Sequence, residues 1–214
     1  MKLYSFFASG TSYRTRIALN LKGLDYELVP VNLRGDEGLK SADYRALNPM
    51  GAVPTLVTDK GVLTQSTAII EWLEETYPEP ALLPKNAEDR AWVRALCSIV
   101  ACDIHPVNNR RILQYLQNDL GCSPEQVDEW ARRWLKDGLG AMEQMLASDP
   151  RRGVYCYGNS PGLADVYLVT QLAGAKRFKL DMSPYPTLQA IGDACAKLEA
   201  FQKAAPAKQP DFVA

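Results

Sequence analysis

The sequence predicts a small α/β domain followed by an all-helical one. Three observations carry this. Short strand-like and helix-like segments alternate through residues 1–80, a proline-rich stretch interrupts them, and nothing strand-like follows for over a hundred residues. In the first region, residues 2–6 read as a strand. Residues 12–22 read as a helix that sets Ile17, Ala18 and Leu21 on one face and stops at Gly23. Residues 25–32 alternate as a second strand, with Tyr26 and Leu28 on one side. A loop at residues 49–54 leads into the strand 55–58, and the turn signal Asp59-Lys60-Gly61 closes a hairpin with residues 62–64. A helix over 66–77 then carries Ile69, Ile70 and Leu73 at helical spacing. The order is β-α-β followed by β-β-α, which places helices on a mixed sheet.

Tyr77-Pro78-Glu79-Pro80, with Pro84 shortly after, is the candidate linker, giving domains at 1–80 and 87–214. Residues 87–104 have a helical pattern, and Pro106 is expected to kink it or part it from a helix over 107–116. Ser123-Pro124-Glu125-Gln126 supplies an N-cap serine, a proline at the first helical position and a glutamine at the third, so a long helix starts there and runs to about Met145. Residues 162–177 and 188–204 supply two more helices.

Composition narrows the function classes. The chain has 214 residues, 47% hydrophobic and 23% charged, which are ordinary globular values, and its formal net charge is -1. No global basic field draws it to nucleic acid or an anionic membrane surface. No apolar run approaches the ~20 residues that span a bilayer, and residues 1–8 are too weakly apolar for a signal peptide, so a cytoplasmic location is expected. The five cysteines form no Cys-x-x-Cys pair and read as reduced thiols, while a single histidine, His105, excludes a histidine-rich metal site.

Four strings resemble one family. Ser9-Gly10-Thr11-Ser12-Tyr13-Arg14-Thr15-Arg16-Ile17-Ala18-Leu19 is similar to the signature of the zeta class of glutathione transferases. Asn48-Pro49-Met50-Gly51-Ala52-Val53-Pro54-Thr55-Leu56 resembles the loop that precedes the third strand in these enzymes. Gln65-Ser66-Thr67-Ala68-Ile69 resembles their next turn, and Arg177-Phe178-Lys179 with Pro184-Tyr185-Pro186 their C-terminal region. The strings occur in the family's order across nearly the whole chain. The resemblance implies a thioredoxin-like N-terminal domain and an all-α C-terminal domain, the glutathione transferase fold, usually as a homodimer. It also implies glutathione as cofactor and a small dicarboxylate enone as substrate, and it is nearest to the bacterial maleylpyruvate isomerases, with the maleylacetoacetate isomerases next.

No cysteine occurs before Cys97, so the first domain cannot supply a thiol of its own and the sulfur must arrive with the ligand. A thiol of free pKa about 8.5–9 needs about 1.36 kcal/mol of preferential thiolate stabilisation for each unit of lowering. Ser9 and Thr11 sit just before the first helix, where hydroxyl donors and the positive helix end either hold a thiolate or only cap the helix. The family usually has Ser where Gly10 stands and Cys where Thr11 stands, which leaves Ser9 and Thr11 as the candidate catalytic donors. By resemblance, Val53-Pro54 forms a cis turn whose backbone pairs with glutathione, and Gln65-Ser66 opens a helix that takes the γ-glutamyl carboxylate. His105 and Asn109 align with glutathione-contacting positions, although a lone histidine before proline is also a common structural residue. Arg177, and more weakly Arg110, are candidates for the two substrate carboxylates, because a guanidinium fork binds a carboxylate at two points. Asp165 is expected to cap its helix without a side-chain partner, since Gly162 stands where the family has Ser or Thr. A transferase that conjugates or dehalogenates small electrophiles, and a non-enzymatic module of the same fold, are the alternative readings.

Overall fold

The computed structural model describes residues 1–33 and 38–213. The chain divides into two compact units, one comprising 1–82 with 197–214, the other 83–196. The first break falls inside the proline-rich stretch, and residues 197–214, which the sequence reading counts with 87–214, belong to the first unit.

In the first unit β1 (Lys2–Ser5) leads to α1 (Gly10–Leu21), β2 (Glu27–Pro30) and α2 (Ala42–Leu47). The hairpin β3 (Thr55–Thr58) and β4 (Gly61–Thr64) and the helix α3 (Ser66–Thr76) follow. The sheet order is β2-β1-β3-β4, with β1 parallel to β2 and antiparallel to β3, so the mixed sheet read from the sequence is present. Ile17, Ala18, Ile69, Ile70 and Leu73 are fully buried, as the helical spacing requires. Helix α1 is buried on all sides from Ser12 to Leu19, including Arg14 and Arg16, two cations whose residue type alone would place them in solvent. A buried pair, Lys22 with Glu74, fastens the linker: the Lys22 ammonium also donates to the Tyr77 and Pro80 carbonyls, and Glu74 accepts the Leu82 N–H. Two differences from expectation stand out. The short helix α2 lies in a stretch to which the sequence reading assigns no element, and it is capped by Ser41 Oγ on the Tyr44 N–H at 3.2 Å. The helix expected over 188–204 is broken at Lys197 and Leu198 into α8 (Pro186–Ala196), in the second unit, and α9 (Glu199–Ala204), in the first.

The second unit contains α4 (Ala87–Ser98), α5 (Arg110–Asn118), α6 (Pro124–Ala147), α7 (Leu163–Arg177) and α8. Among the described residues no strand element follows β4. The helix expected over 87–104 ends early: at Ile99 it widens into a π-helical turn, Ile99–Ile104, before Pro106. Gly138 on α6 leaves room for the Ile104 side chain at the end of this turn, because a Cβ there would run into it. At α6 the reading is met in full: Ser123 Oγ accepts the Gln126 N–H, and Gln126 Oε1 accepts the Ser123 N–H at 2.8 Å. Asp165 caps α7 as expected, its carboxylate accepting the Gly162 N–H, and it also takes the Cys156 N–H, each at 2.8 Å. Burial pushes Asp165 up to about 6. No helix among the described residues is long and apolar enough to cross a membrane.

Candidate active site

The α1 end of the site is built from a turn and a helix start. Ser9 is extended at φ -76° and ψ 122°, and its Oγ accepts the Ser12 N–H at 3.2 Å, an N-cap that leaves the N–H groups of Gly10 and Thr11 at the positive helix end. Ser9 Oγ lies 2.8 Å from Thr11 Oγ1, and Thr11 Oγ1 donates to the Val53 carbonyl at 2.8 Å. Thr11 has one hydroxyl hydrogen, and it goes to Val53. Ser9 is therefore the donor in the bond between the two hydroxyls. The chain of bonds runs Ser9 to Thr11 to Val53 O, and it ties the helix start to the Val53-Pro54 turn, which is cis.

That turn is held from behind by α2. Tyr44 Oη donates to the Ala52 carbonyl at 2.7 Å and lies 3.0 Å from Thr55 Oγ1, and Asn48 Nδ2 donates to the same carbonyl at 2.7 Å. Val31, Tyr44 and Val53 bury together, with Tyr4, Phe6, Leu33 and Leu39 against them. Sequence reasoning missed Tyr44 altogether and took Asn48 only as a motif letter. The signal available was the Ser41 cap that starts α2.

At α3, Gln65 adopts φ 67°, a left-handed conformation uncommon for a residue with a side chain. Its side chain does not cap the helix, and Ser66, the first helical residue, is buried. The first turn of α3 thus presents backbone N–H groups, the Ser66 hydroxyl and the helix dipole, which is the donor set a carboxylate needs. In the first unit, Ser9, Gly10, Thr11, Val53 and Pro54 are brought together, while Gln65 and Ser66 form the start of the neighbouring helix on β4. This donor set fits a tripeptide thiol: a hydroxyl and a helix end for sulfur, a backbone edge for the peptide, and a second helix end for a carboxylate.

In the second unit, His105 follows the π turn, and its Nε2 lies 3.5 Å from Asn109 Nδ2. Asn109 Oδ1 caps α5 by accepting the Arg111 N–H at 3.2 Å, so a structural duty for Asn109 is established. Arg110 is exposed at the first position of α5. Arg177 is exposed at the last position of α7, with its guanidinium 5.3 Å from the centroid of the Phe178 ring.

Comparison with known proteins bears on the same features. Residues 3–81 match the family model for the glutathione S-transferase N-terminal domain. The chain is 55% identical to a maleylpyruvate isomerase of a Ralstonia species, over 99% of each chain. It superposes with a TM-score of 0.97, at 54% identity and full coverage of both chains, on the holo structure of a maleylpyruvate isomerase described as a bacterial zeta-class glutathione transferase. A maleylacetoacetate isomerase from Methylobacterium extorquens with bound malonate and glutathione gives 0.95 at 38% identity, again covering both chains in full. The chain belongs to the zeta class of glutathione transferases, the family of the maleylpyruvate and maleylacetoacetate isomerases.

Proposed function

We propose that the protein is a glutathione-dependent cis–trans isomerase of maleyl keto-acids, acting first on maleylpyruvate to give fumarylpyruvate, and next on maleylacetoacetate. The observation that carries this is the pairing of a thiolate-binding donor set at α1 with a first unit that contains no cysteine. Bound glutathione supplies a thiolate that adds reversibly to the cis double bond and departs after rotation, so it is regenerated. The chain's own residues hold and tune. The Ser9 hydroxyl swings from Thr11 to donate to sulfur, and the first N–H groups of α1 favour the charged form. Thr11 stays on the Val53 carbonyl and keeps the peptide-binding turn in register with Ser9. The first turn of α3, with Gln65 and Ser66, takes the γ-glutamyl carboxylate. His105 and Asn109 are proposed to contact glutathione as their counterparts do in the family.

Substrate recognition falls to arginine. Arg177 is proposed to grip a substrate carboxylate, with Arg110 assisting, and to stabilise the negative charge that develops on the enone oxygen as sulfur adds. With glutathione supplied, the wild type turns over the cis enone. Arg177→Ala removes a charge-assisted contact of about 1.5–3 kcal/mol, so kcat/KM falls about 10- to 150-fold while calorimetric affinity for glutathione changes far less. Arg177→Lys recovers part, since an ammonium lacks the two-pronged geometry. An inactive wild type contradicts the function, and unchanged kinetics in Arg177→Ala with weakened glutathione binding moves Arg177 to the cofactor. The working form is proposed to be a homodimer, which light scattering distinguishes from a 23.7 kDa monomer.

A further inference from the structure

The turn that delivers Ser9 is short, and two of the contacts on its Phe7 come from the far end of the sequence. Phe7 is held at three points. Its N–H donates to Asp211 Oδ2 at 2.9 Å, its carbonyl accepts from Arg16 Nη2 at 3.2 Å, and its ring meets the Phe212 ring edge-on, centroids 5.4 Å apart at 88°. One residue earlier, the Phe6 carbonyl accepts both the Ser9 N–H at 3.1 Å and Arg16 Nη1 at 3.4 Å. Arg16 is fully buried, and its Nε reaches the Ala204 carbonyl at 3.0 Å. Burial lowers the Arg16 pKa to about 10, against the attraction of Tyr26, Asp211 and Tyr13, which works to keep it charged.

The segment beyond α9 is itself ordered. Gln209 Nε2 donates to the Lys203 and Ala205 carbonyls, and the Phe212 N–H donates to the Gln209 carbonyl at 3.0 Å. Asp211 therefore reaches Phe7 from a fixed base. A swing of the Phe6–Phe7 peptide would move the Ser9 main chain with it, because the Ser9 N–H is bonded to Phe6 O. The placement of the Ser9 main chain, and of the hydroxyl it carries, is thus coupled to that peptide.

We propose that Asp211 and Phe212 are positioning residues for the glutathione thiolate: they lock the Phe6–Phe7 turn and so aim the Ser9 hydroxyl, without touching glutathione or substrate. Asp211 supplies the acceptor that Phe7 N–H lacks in the turn itself, and its charge faces the Arg16 guanidinium that gathers the carbonyls of the same turn. Phe212 closes the ring contact. A misaimed hydroxyl stabilises the thiolate less while the peptide and γ-glutamyl contacts persist, so the effect falls on sulfur ionisation and not on overall cofactor affinity.

This inference rests on the thiolate reading of Ser9, and the experiment separates the two. Thiolate absorbance of bound glutathione is titrated against pH in the full-length wild type and in Asp211→Ala, Asp211→Asn, Phe212→Ala and the control Glu199→Gln, which breaks only an exposed pair with Lys203 on α9. In Asp211→Ala the midpoint rises by about 0.5–1 pH unit, which removes about three- to tenfold of the bound thiolate when the midpoint lies above the working pH. Measured below the bound midpoint, where the thiol is protonated in both proteins, the dissociation constant for glutathione stays within about twofold of wild type. Asp211→Asn keeps an acceptor for Phe7 N–H and returns most of the shift. Phe212→Ala, which empties a half-exposed position, moves the midpoint in the same direction by less, and Glu199→Gln does not move it. A merely structural defect lowers binding at every pH and leaves the midpoint in place; that result in both Asp211→Ala and Phe212→Ala overturns the proposal. A wild type with no bound thiolate overturns both the proposal and the thiolate reading beneath it, whereas wild-type thiolate with unmoved variants overturns the proposal alone.

Discussion

Ser9 and Thr11 look interchangeable as letters, two hydroxyls flanking one glycine. Their bonds separate them. Thr11 donates to the Val53 carbonyl and so ties α1 to the cis turn, whereas Ser9 donates only to Thr11, so a Ser9 hydroxyl turned toward sulfur would leave that tie intact. Ser9→Ala is expected to raise the pKa of the bound thiol by about 1–2 units, the equivalent of one charge-assisted hydrogen bond. Thr11→Ala is expected to shift it less and to weaken glutathione binding more, because the cis turn at Val53 loses its tie to α1. Thr11→Ser keeps the tie and restores binding. Titration of thiolate absorbance with calorimetry on the same variants checks the division; a larger thiol shift in Thr11→Ala than in Ser9→Ala reverses the roles. Two of the chain's own thiols are unsuited to this work. Cys156 and Cys195 are buried, and burial is the largest cause pushing both upward.

Among the elements, α7 carries an acid whose environment sets a pH dependence. Asp165 is buried, and desolvation raises its folded pKa to about 6, above the usual 3.8, despite the N–H groups of Cys156 and Gly162 that favour the carboxylate. The folded state therefore binds this proton more tightly than the unfolded chain. That contribution to stability is complete below pH 3.8 and is lost as pH rises through 6. Urea midpoints of wild type and Asp165→Asn at several pH values in that window isolate the effect: the difference between the two proteins changes across it, and a constant difference contradicts the assignment. Asp165→Ala leaves two buried N–H groups without an acceptor and costs about 2–4 kcal/mol at low pH, and less once pH has risen through 6.

The elements also show what sequence could and could not disclose. Ser123-Pro124-Glu125-Gln126 announced α6 because its whole cap is local. The six-residue α2 offers no periodicity to read, yet it places Tyr44 and Asn48 behind the cis turn. The π turn at Ile99–Ile104 packs its Ile104 side chain against Gly138 of another helix, a contact that the pattern over 87–104, which reads as one helix, does not contain. The site divides in the same way. Ser9, Val53-Pro54 and Gln65-Ser66 were legible because each sits in a short string, whereas the supports of Ser9 lie 188 and 204 residues along the chain from their partners, Arg16 on Ala204 and Phe7 on Asp211. Pairings at such separations leave no local trace.

For the molecule as a whole, the α/β unit carries a hydroxyl, two helix ends and a cis turn, and its sequence contains no thiol. This combination makes sense only if sulfur enters as a ligand, and the family relation makes that ligand glutathione. The proposed isomerisation differs from conjugation in one respect that can be counted: sulfur is returned at the end of each turnover. The direct measurement is thiol accounting during turnover of maleylpyruvate with glutathione far below substrate. The account predicts that trans product accumulates to many equivalents of glutathione while free plus bound thiol stays constant, and that no product forms without glutathione. Loss of one thiol for each substrate consumed, with a stable thioether as the product, would contradict it and identify a transferase.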